Sequence, residues 1–536
     1  MRLTAEGLKD REAWLAAGYQ LPQFDREAMI AATKKAPVWA HFGSGNICKA
    51  FLANAAQRML NEGHTDKGLV LVDREIVEKL NRKHDDYHIL VTLKADGNVE
   101  KTVVGSVSES CMLDSRSAVE FGRLKEIFAN ESLQMVSFTI TEKGYSLVNA
   151  QGEYLPEVED DFVAGPEAPV SYMGKVTALL YARFLAGEKP LAMVSMDNCS
   201  HNGDKLAAAI HAFAEKWEAA CLVEPGFTAY VKNPAKVSFP WTMIDKITPR
   251  PDASVEKILR EDGVEDLDYV VTKRGTHVAP FVNAEECEYL VIEDSFPNGR
   301  PALEKAGLIF AERETVERVE KMKVCTCLNP LHTALAVFGC LLGYEKISEE
   351  MKDAELKKLV EIIGYTEGLP VVVDPGILDP REFIDTVLNV RIPNPFMPDT
   401  PQRIACDTSQ KLSVRFGETI KAYAKREDLD VQDLKLIPVV FAGWLRYLTG
   451  IDNEGNAFDV SPDPMLEVVR PYVADLKLGS TADIEALCPV LENDRIFGVN
   501  LFKVGLAEKV VGYLNEMLVG PGAVRATLKK YTGGQA

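Results

Sequence analysis

Between Val38 and Asp73 the chain reads as an apolar run, a glycine pair, a helix-compatible segment, a second apolar run and an acid. That order admits few folds. Val38-Trp39-Ala40-His41-Phe42 is followed by Gly43-Ser44-Gly45-Asn46, then by the apolar stretch Ile47 to Leu60, then by Gly68-Leu69-Val70-Leu71-Val72 closing on Asp73. Strand, glycine turn, helix, strand and acid open a Rossmann-like unit. Glycines in such a turn let the backbone approach a pyrophosphate, and the helix N-terminus behind them favours its negative charge. Gly43 and Gly45 fill the first two positions of that fingerprint, but Cys48 fills the third. A tight strand-to-helix turn with no ligand is the plainer alternative. An acid at the end of the second strand accepts hydrogen bonds from ribose hydroxyls and repels a 2′-phosphate, so Asp73 favours NAD over NADP. Arg74 beside it leaves NADP open, and a helix N-cap is the plainer alternative reading of Asp73.

Further strands are predicted at His88–Leu93, Thr102–Ser106, Gln134–Ile140 and Leu191–Met196, with a helix over Met173–Ala186. Alternating strands and helices argue for a mostly parallel sheet. Beyond about residue 300 the texture becomes helical, with amphipathic or buried helices at 313–323, 330–343, 346–363, 408–426, 434–449 and 503–518. The expected organisation is an extension over 1–36, a Rossmann-like domain over 37–300 and a mainly α-helical domain over 301–536. A chain of 536 residues is long enough for two or three domains.

The net charge of −20 argues against nucleic acid or an anionic membrane as partner, since both call for basic surface. It also means that an acidic substrate needs local Arg or Lys. Met1 to Asp10 is charged and lacks the apolar core of a signal peptide, so the cytoplasm is the default. The longest apolar stretch, about His332 to Tyr344, falls short of the roughly 20 residues of a bilayer-crossing helix. The ten cysteines suit a reducing compartment. Cys325 and Cys327 have only His332 as a nearby further ligand, and buried thiols are the simpler reading of them.

Two polar segments could do chemistry. One, Asp197-Asn198-Cys199-Ser200-His201-Asn202-Gly203-Asp204, follows a strand end, where open α/β folds bind ligands. The other runs from Lys321 to His332 into an apolar helix. Each has a bland reading: turn formers at Asn198, Asn202 and Gly203, an N-cap at Asn329 before Pro330, and a satisfied core histidine at His332.

Taken together these motifs resemble the mannitol dehydrogenase family of long-chain polyol-specific dehydrogenases. The likeness covers nearly the whole chain in order. It runs through Gly43-Ser44-Gly45-Asn46, Thr141-Glu142-Lys143-Gly144-Tyr145, Asp197-Asn198 with Asn202-Gly203, and Met243 to Pro249. It continues through Ile292-Glu293-Asp294, Gly299-Arg300-Pro301, Lys323 with Asn329 and His332, Gln402-Arg403-Ile404, and Asp407 with Ser409-Gln410-Lys411. The resemblance implies a metal-independent, NAD(P)-dependent dehydrogenase whose active site lies between a Rossmann domain and a helical domain. Lys323 matches the catalytic proton donor and acceptor, Asn198 and Asn329 the pair that cradles the alkoxide oxygen, and His332 a ligand of a substrate hydroxyl. Asn202, Asp245, Arg403 and Lys411 match substrate-side positions, and Gly43, Gly45, Asn46, Asp73 and Glu142 cofactor-side positions. Chemically, two carboxamides donate to an alkoxide without adding charge, and burial brings a lysine toward neutral working range.

One spacing departs from the family's pattern. The lysine usually stands five residues before the asparagine, and here Lys323 and Asn329 are six apart. In a continuous α-helix one extra residue swings a side chain by about 100°. A bulge, or a break before Pro330, would absorb it. Overall similarity, chain length, the leading extension and the Cys-Leu-Asn-Pro-Leu-His wording point to the branch acting on D-fructuronate and D-mannonate. Mannitol and tagaturonate are the alternatives within the family. A nucleotide-retaining epimerase or a non-catalytic sensor is the alternative outside it. A short-chain dehydrogenase would need Tyr-x-x-x-Lys on a helix, but Tyr269 to Lys273 is β-branched and reads as a strand. A zinc alcohol dehydrogenase would need clustered Cys and His ligands.

Overall fold

The computed structural model describes all residues except 150, 274, 398 and 534–536. The chain falls into two compact units, Met1–Val316 and Glu317–Ala536.

The first unit is built on a six-stranded sheet. Its strands are β1 (Trp39–Phe42), β2 (Leu69–Asp73), β3 (Val107–Met112), β4 (Met135–Phe138), β5 (Leu191–Ser195) and β6 (Val237–Ser238). They lie in the order β3-β2-β1-β4-β5-β6, every pairing parallel. This is the dinucleotide-binding order, with its topological switch between β1 and β4. The apolar runs are continuous because both faces are covered. Leu69 and Leu71 of β2 point into one core with Trp39, Phe51 and Val194, beneath α1 (Ala53–Asn61). Val70 and Val72 point into the other with Phe42, Leu124, Leu179 and Ile210, under α2 (Ala118–Ala129), α3 (Tyr172–Leu185) and α4 (Asn202–Ala219).

The strands predicted at His88–Leu93 and Thr102–Ser106 form outside this sheet. His88–Leu93 and Val99–Val104 pair antiparallel in a separate four-stranded sheet with Tyr19–Gln20 and Phe281–Glu285. The physical reason lies in the connection. A parallel crossover takes a dozen residues or more, whereas these strands are joined through Asp96-Gly97, with Gly97 at φ +91°. The third strand of the main sheet is instead Val107–Met112, whose Ser108, Glu109 and Ser110 hide its strand character. A third small sheet pairs β7 (Thr242–Asp245) antiparallel to Tyr289–Glu293, which pairs in parallel with Ile309–Ala311.

The predicted helices appear in the second unit. Helix α5 (Arg313–Met322) leads through a π turn, Lys323–Cys327, and a non-helical Leu328 into α6 (Asn329–Leu342). By length and composition this stretch could cross a bilayer, but 78% of its most apolar window is buried in the protein, as in a core helix. Helix α7 (Leu436–Tyr447) is buried along its whole length and packs against α6 and α8 (Ala507–Leu518). Gly443 of α7 is needed at the crossing, since a Cβ there would stand 2.6 Å from the Phe338 ring. The first turn of α7 has no side-chain cap of its own. The buried Glu367 carboxylate accepts the N–H groups of Lys435 and Leu436 at 2.7 Å and of Ile437 at 2.9 Å.

In the first unit a buried arginine does the converse job. Arg183 is 0% exposed and donates to five backbone carbonyls: Lys189, Phe128, Asn130, Leu133 and Pro190, at 2.6–3.0 Å. Those carbonyls end α2 and flank the starts of β4 and β5. No carboxylate is needed, because every N–H of the guanidinium finds an oxygen. Arg183→Leu strands all five carbonyls at once. It is expected to lower the unfolding free energy by about 3–5 kcal/mol, on the scale of breaking a buried charged network. Urea denaturation measures this, and a midpoint unchanged from wild type would contradict it.

Candidate active site

In the first unit the candidate residues gather at the carboxyl edge of the main sheet. Gly43 follows β1 at φ +112°, and a Cβ there would stand 2.2 Å from the Thr139 carbonyl oxygen, so the turn tolerates only glycine. Nothing lies within 4 Å of where a Gly45 Cβ would be, which leaves open space over the turn. Asn46 donates through Nδ2 to the carbonyls of Pro249 and His277 at 3.3 and 3.4 Å, while its Oδ1 is buried with no partner. Cys48 opens a π turn, Cys48–Leu52, and is seated in the core at 1% exposure.

Asp73 ties this turn to β2. Its Oδ2 accepts from Ser44 N at 3.0 Å, and its Oδ1 from Arg74 N at 2.6 Å and Ile76 N at 3.3 Å. It therefore does part of the work of a cap and braces the glycine turn as well. Glu142 is exposed, on a single turn after β4, and pairs with Lys205 of α4 at 2.5 Å.

The Asp197 to Gly203 signature separates into buried architecture at Asp197, Asn202 and Gly203 and an exposed stretch that begins at Asn198. The buried Asp197 carboxylate accepts from Ile140 N and Thr141 N, both at 2.9 Å, and from the Tyr145 hydroxyl at 2.5 Å. Thr141 is held at φ +66°, a left-handed position in which a β-branched residue is strained. Burial pushes the Asp197 carboxyl above its ordinary value, opposed by those three hydrogen bonds. Asn202 was expected on the substrate side, but it is 0% exposed and its carboxamide is spent. Nδ2 donates to the carbonyls of Asp197 and Thr242 and to the Thr242 hydroxyl at 2.9–3.1 Å, and Oδ1 accepts from Thr242 N at 3.0 Å. It joins the end of β5 to β7 and presents nothing to a ligand. A Cβ at Gly203 would stand 2.5 Å from the Phe239 carbonyl oxygen, so this residue too serves close packing. Asn198 is exposed, as are Ser200 and His201 beside it. Asp245 ends β7 and is buried.

In the second unit the surplus residue between Lys323 and Asn329 is taken up by the π turn. Leu328 N donates to Lys323 O at 3.1 Å, the i→i+5 bond that defines such a turn. One revolution there spans an extra residue, which offsets the swing expected of a regular helix. The helix then breaks at Leu328 (φ −131°, ψ −61°) before Asn329-Pro330. Lys323 is buried. Asn329 is the first residue of α6 and Leu328 holds the N-cap position, so Asn329 is not the N-cap that the sequence suggested. His332 stands one turn on, half-buried. Burial pushes the Cys325 thiol up to about 12 and raises that of Cys327 as well.

Arg403 and Lys411 are differently placed from one another. Arg403 is 71% exposed and holds Asp399 through two hydrogen bonds of 2.7 Å, so its charge is compensated. Lys411 Nζ donates to the carbonyls of Ile404 and Cys406. Burial, and then the positive charge of Arg415, pull its pKa down. Arg415 is the residue that sequence reasoning missed. It lies on a second π turn, Ser413–Gly417, which packs against both the Lys323–Cys327 turn and α6. Its Nη1 donates to Asn329 O at 3.4 Å and to the Thr333 hydroxyl. The available signal was an arginine four residues after Lys411 inside a helical stretch, beside Phe416.

An open parallel sheet in this strand order, with a glycine turn at its switch point, is the nucleotide-binding half of a Rossmann-fold dehydrogenase. Residues 39–305 match the family model for the mannitol dehydrogenase Rossmann domain, and residues 315–518 that for the mannitol dehydrogenase C-terminal domain. The chain belongs to the mannitol dehydrogenase family and is a dehydrogenase acting on CH–OH groups. It is 51% identical to D-mannonate oxidoreductase of Thermotoga maritima, over 99% of both chains. Among solved structures it resembles a D-sorbitol dehydrogenase in substrate-free form, with a TM-score of 0.78 at 25% identity over 95% of this chain and 98% of that one. It also resembles mannitol 2-dehydrogenase of Pseudomonas fluorescens, solved as a ternary complex with NAD and D-mannitol, with a TM-score of 0.70 at 27% identity over the whole of both chains.

The division within the signature is testable by stability. Asn202→Ala removes a buried, fully bonded carboxamide and is expected to cost about 2–3 kcal/mol. Asn198→Ala, at an exposed position, is expected to change stability by less than about 0.5 kcal/mol. Parallel urea titrations compare the two, and equal losses would contradict the assignment.

Proposed function

We propose that this dehydrogenase interconverts a keto-sugar acid and its hydroxy acid, D-fructuronate and D-mannonate, with NAD(H). What carries the reading is the likeness to the Thermotoga maritima D-mannonate oxidoreductase across 99% of both chains. The use of NAD is supported by the Pseudomonas fluorescens complex, whose partner is NAD. The glycine turn suits such a cofactor. The open space beside Gly45 lets a phosphate approach the backbone there, and the buried, unpartnered Asn46 Oδ1 offers an acceptor to a sugar hydroxyl. Asp73 is the acid for the adenosine ribose, and Glu142 stands on the same sheet edge. When bound, the nicotinamide supplies the hydride in reduction and accepts it in oxidation.

The protein's own groups manage the oxygen and its proton. In reduction, the substrate carbonyl oxygen becomes an alkoxide, and Lys323 Nζ gives it a proton. In oxidation the same amine takes the hydroxyl proton. Asn329 and Asn198 donate hydrogen bonds to that oxygen, which stabilises its developing charge more than its ground state. His332 orients a neighbouring hydroxyl, and Asp245 and Lys411 hold the remainder of the sugar. Burial of Lys323 keeps water from competing for the proton.

Lys323→Ala is expected to abolish turnover while NADH binding, followed by fluorescence, survives. Near-normal rates would place the proton elsewhere. Asn329→Ala and Asn198→Ala are expected to lower kcat about 10²-fold or more, the scale of losing one oxyanion donor. Asp73→Ala should weaken NAD more than NADP, and equal losses would contradict the ribose assignment. The substrate reading is tested by following absorbance at 340 nm with fructuronate, tagaturonate, fructose and mannonate, each with both cofactors. A preference for fructose over fructuronate would overturn it.

A further inference from the structure

We propose that Arg415 is the carboxylate-binding residue of this enzyme, gripping the acid group of the sugar with the two guanidinium nitrogens that its protein contacts leave free. The inference rests on the keto-sugar-acid reading above and names the group that selects for it.

The chain as a whole carries a charge of −20, so an anionic substrate is repelled unless a local cation receives it. Three cations lie along residues 403–415. Arg403 is neutralised by Asp399 through a two-pronged contact and is mostly exposed. Lys411 is committed to two carbonyls. Arg415 differs from both. It makes no ion pair with any carboxylate among the described residues, and its protein hydrogen bonds all leave from Nη1. Nε and Nη2 remain, side by side in one plane, the geometry that receives a carboxylate in parallel bonds. They are not among the buried atoms that lack a partner, so solvent reaches them and a ligand can replace it.

Its position is the second observation. The Nη1 contacts fix the guanidinium against the first turn of α6, on the carbonyl of Asn329 and the hydroxyl of Thr333. Asn329 is the residue proposed to donate to the reacting oxygen, so Arg415 stands against the same turn as that group and is placed to hold the carboxylate at the opposite end of the sugar chain from the ketone. The guanidinium is also costly where it stands. Burial alone, with no acid to offset it, brings its pKa down to about 10, and its charge in turn depresses that of Lys411. Asp407 acts on Lys411 but no acid offsets Arg415, so an anion stabilises this place and a neutral polyol does not.

The test compares wild type with Arg415→Gln and Arg415→Lys, using D-mannonate and the neutral D-mannitol as substrates with NAD. Wild type is expected to prefer D-mannonate. If it does not, the keto-sugar-acid reading itself falls, irrespective of Arg415. Given that preference, Arg415→Gln is expected to raise the KM for D-mannonate about 100-fold, while the KM for NAD stays within about twofold and D-mannitol turnover is not reduced. Arg415→Lys, which keeps the charge and loses the fork, should fall between. Free guanidinium ion should restore part of the D-mannonate activity of Arg415→Gln. An unchanged KM for D-mannonate would overturn the proposal. So would a loss in which D-mannonate, D-mannitol and NAD all worsen together without rescue, since that is the signature of a role confined to holding α6.

Discussion

The run from Lys323 to Asn329 depends on one irregular hydrogen bond, the i→i+5 bond from Leu328 N to Lys323 O. A helix with one residue too many between a lysine and an asparagine has two options: to rotate the lysine away, or to widen a turn. This chain widens the turn. The cost is modest, because the π turn is buried against a second one at Ser413–Gly417 and the two share their packing. This pair of turns sets the backbone positions of Lys323, Asn329 and Arg415.

The N-terminal unit solves the opposite problem, holding loops still at the end of a sheet. Asp197 does so by receiving two N–H groups and a phenol from the segment that follows β4, and thereby holds Thr141 at a positive φ. Asn202 and Gly203 then bring β7 alongside. A motif with the look of a catalytic string is scaffolding at Asp197, Asn202 and Gly203, and it leaves Asn198 exposed between them. The same economy appears at Arg183 and Glu367, where a single buried charge satisfies several backbone groups that no regular element reaches.

Much of this was legible in the residues. The glycine turn, the acid at Asp73, the strands after it and the helical texture of the second half follow from period and punctuation, and they stand where expected. The side hairpin at 88–104 was visible as two strands but not as a separate sheet, because strand character says nothing about partners; the Asp96-Gly97 turn was the overlooked clue. Val107–Met112 escaped because three consecutive residues, Ser108, Glu109 and Ser110, are polar and its pattern lacks a clean alternation. At the site, the one-residue surplus was legible as a problem, and a bulge or a break as its remedy; the structure has both. The burial of Asn202 and the lone charge of Arg415 were not legible, since neither spacing nor residue type reports whether a carboxamide is already bonded or a guanidinium already paired.

Five π turns occur among the described residues, at Cys48–Leu52, Lys323–Cys327, Ile362–Gly368, Val387–Arg391 and Ser413–Gly417. A turn of this kind is what remains when a helix gains a residue without shifting its two ends. Relatives of differing length should therefore show their gaps in the middle of helices as well as in loops. An alignment that moves every insertion to the nearest loop would put the wrong side chains opposite one another, most damagingly between residues 323 and 329.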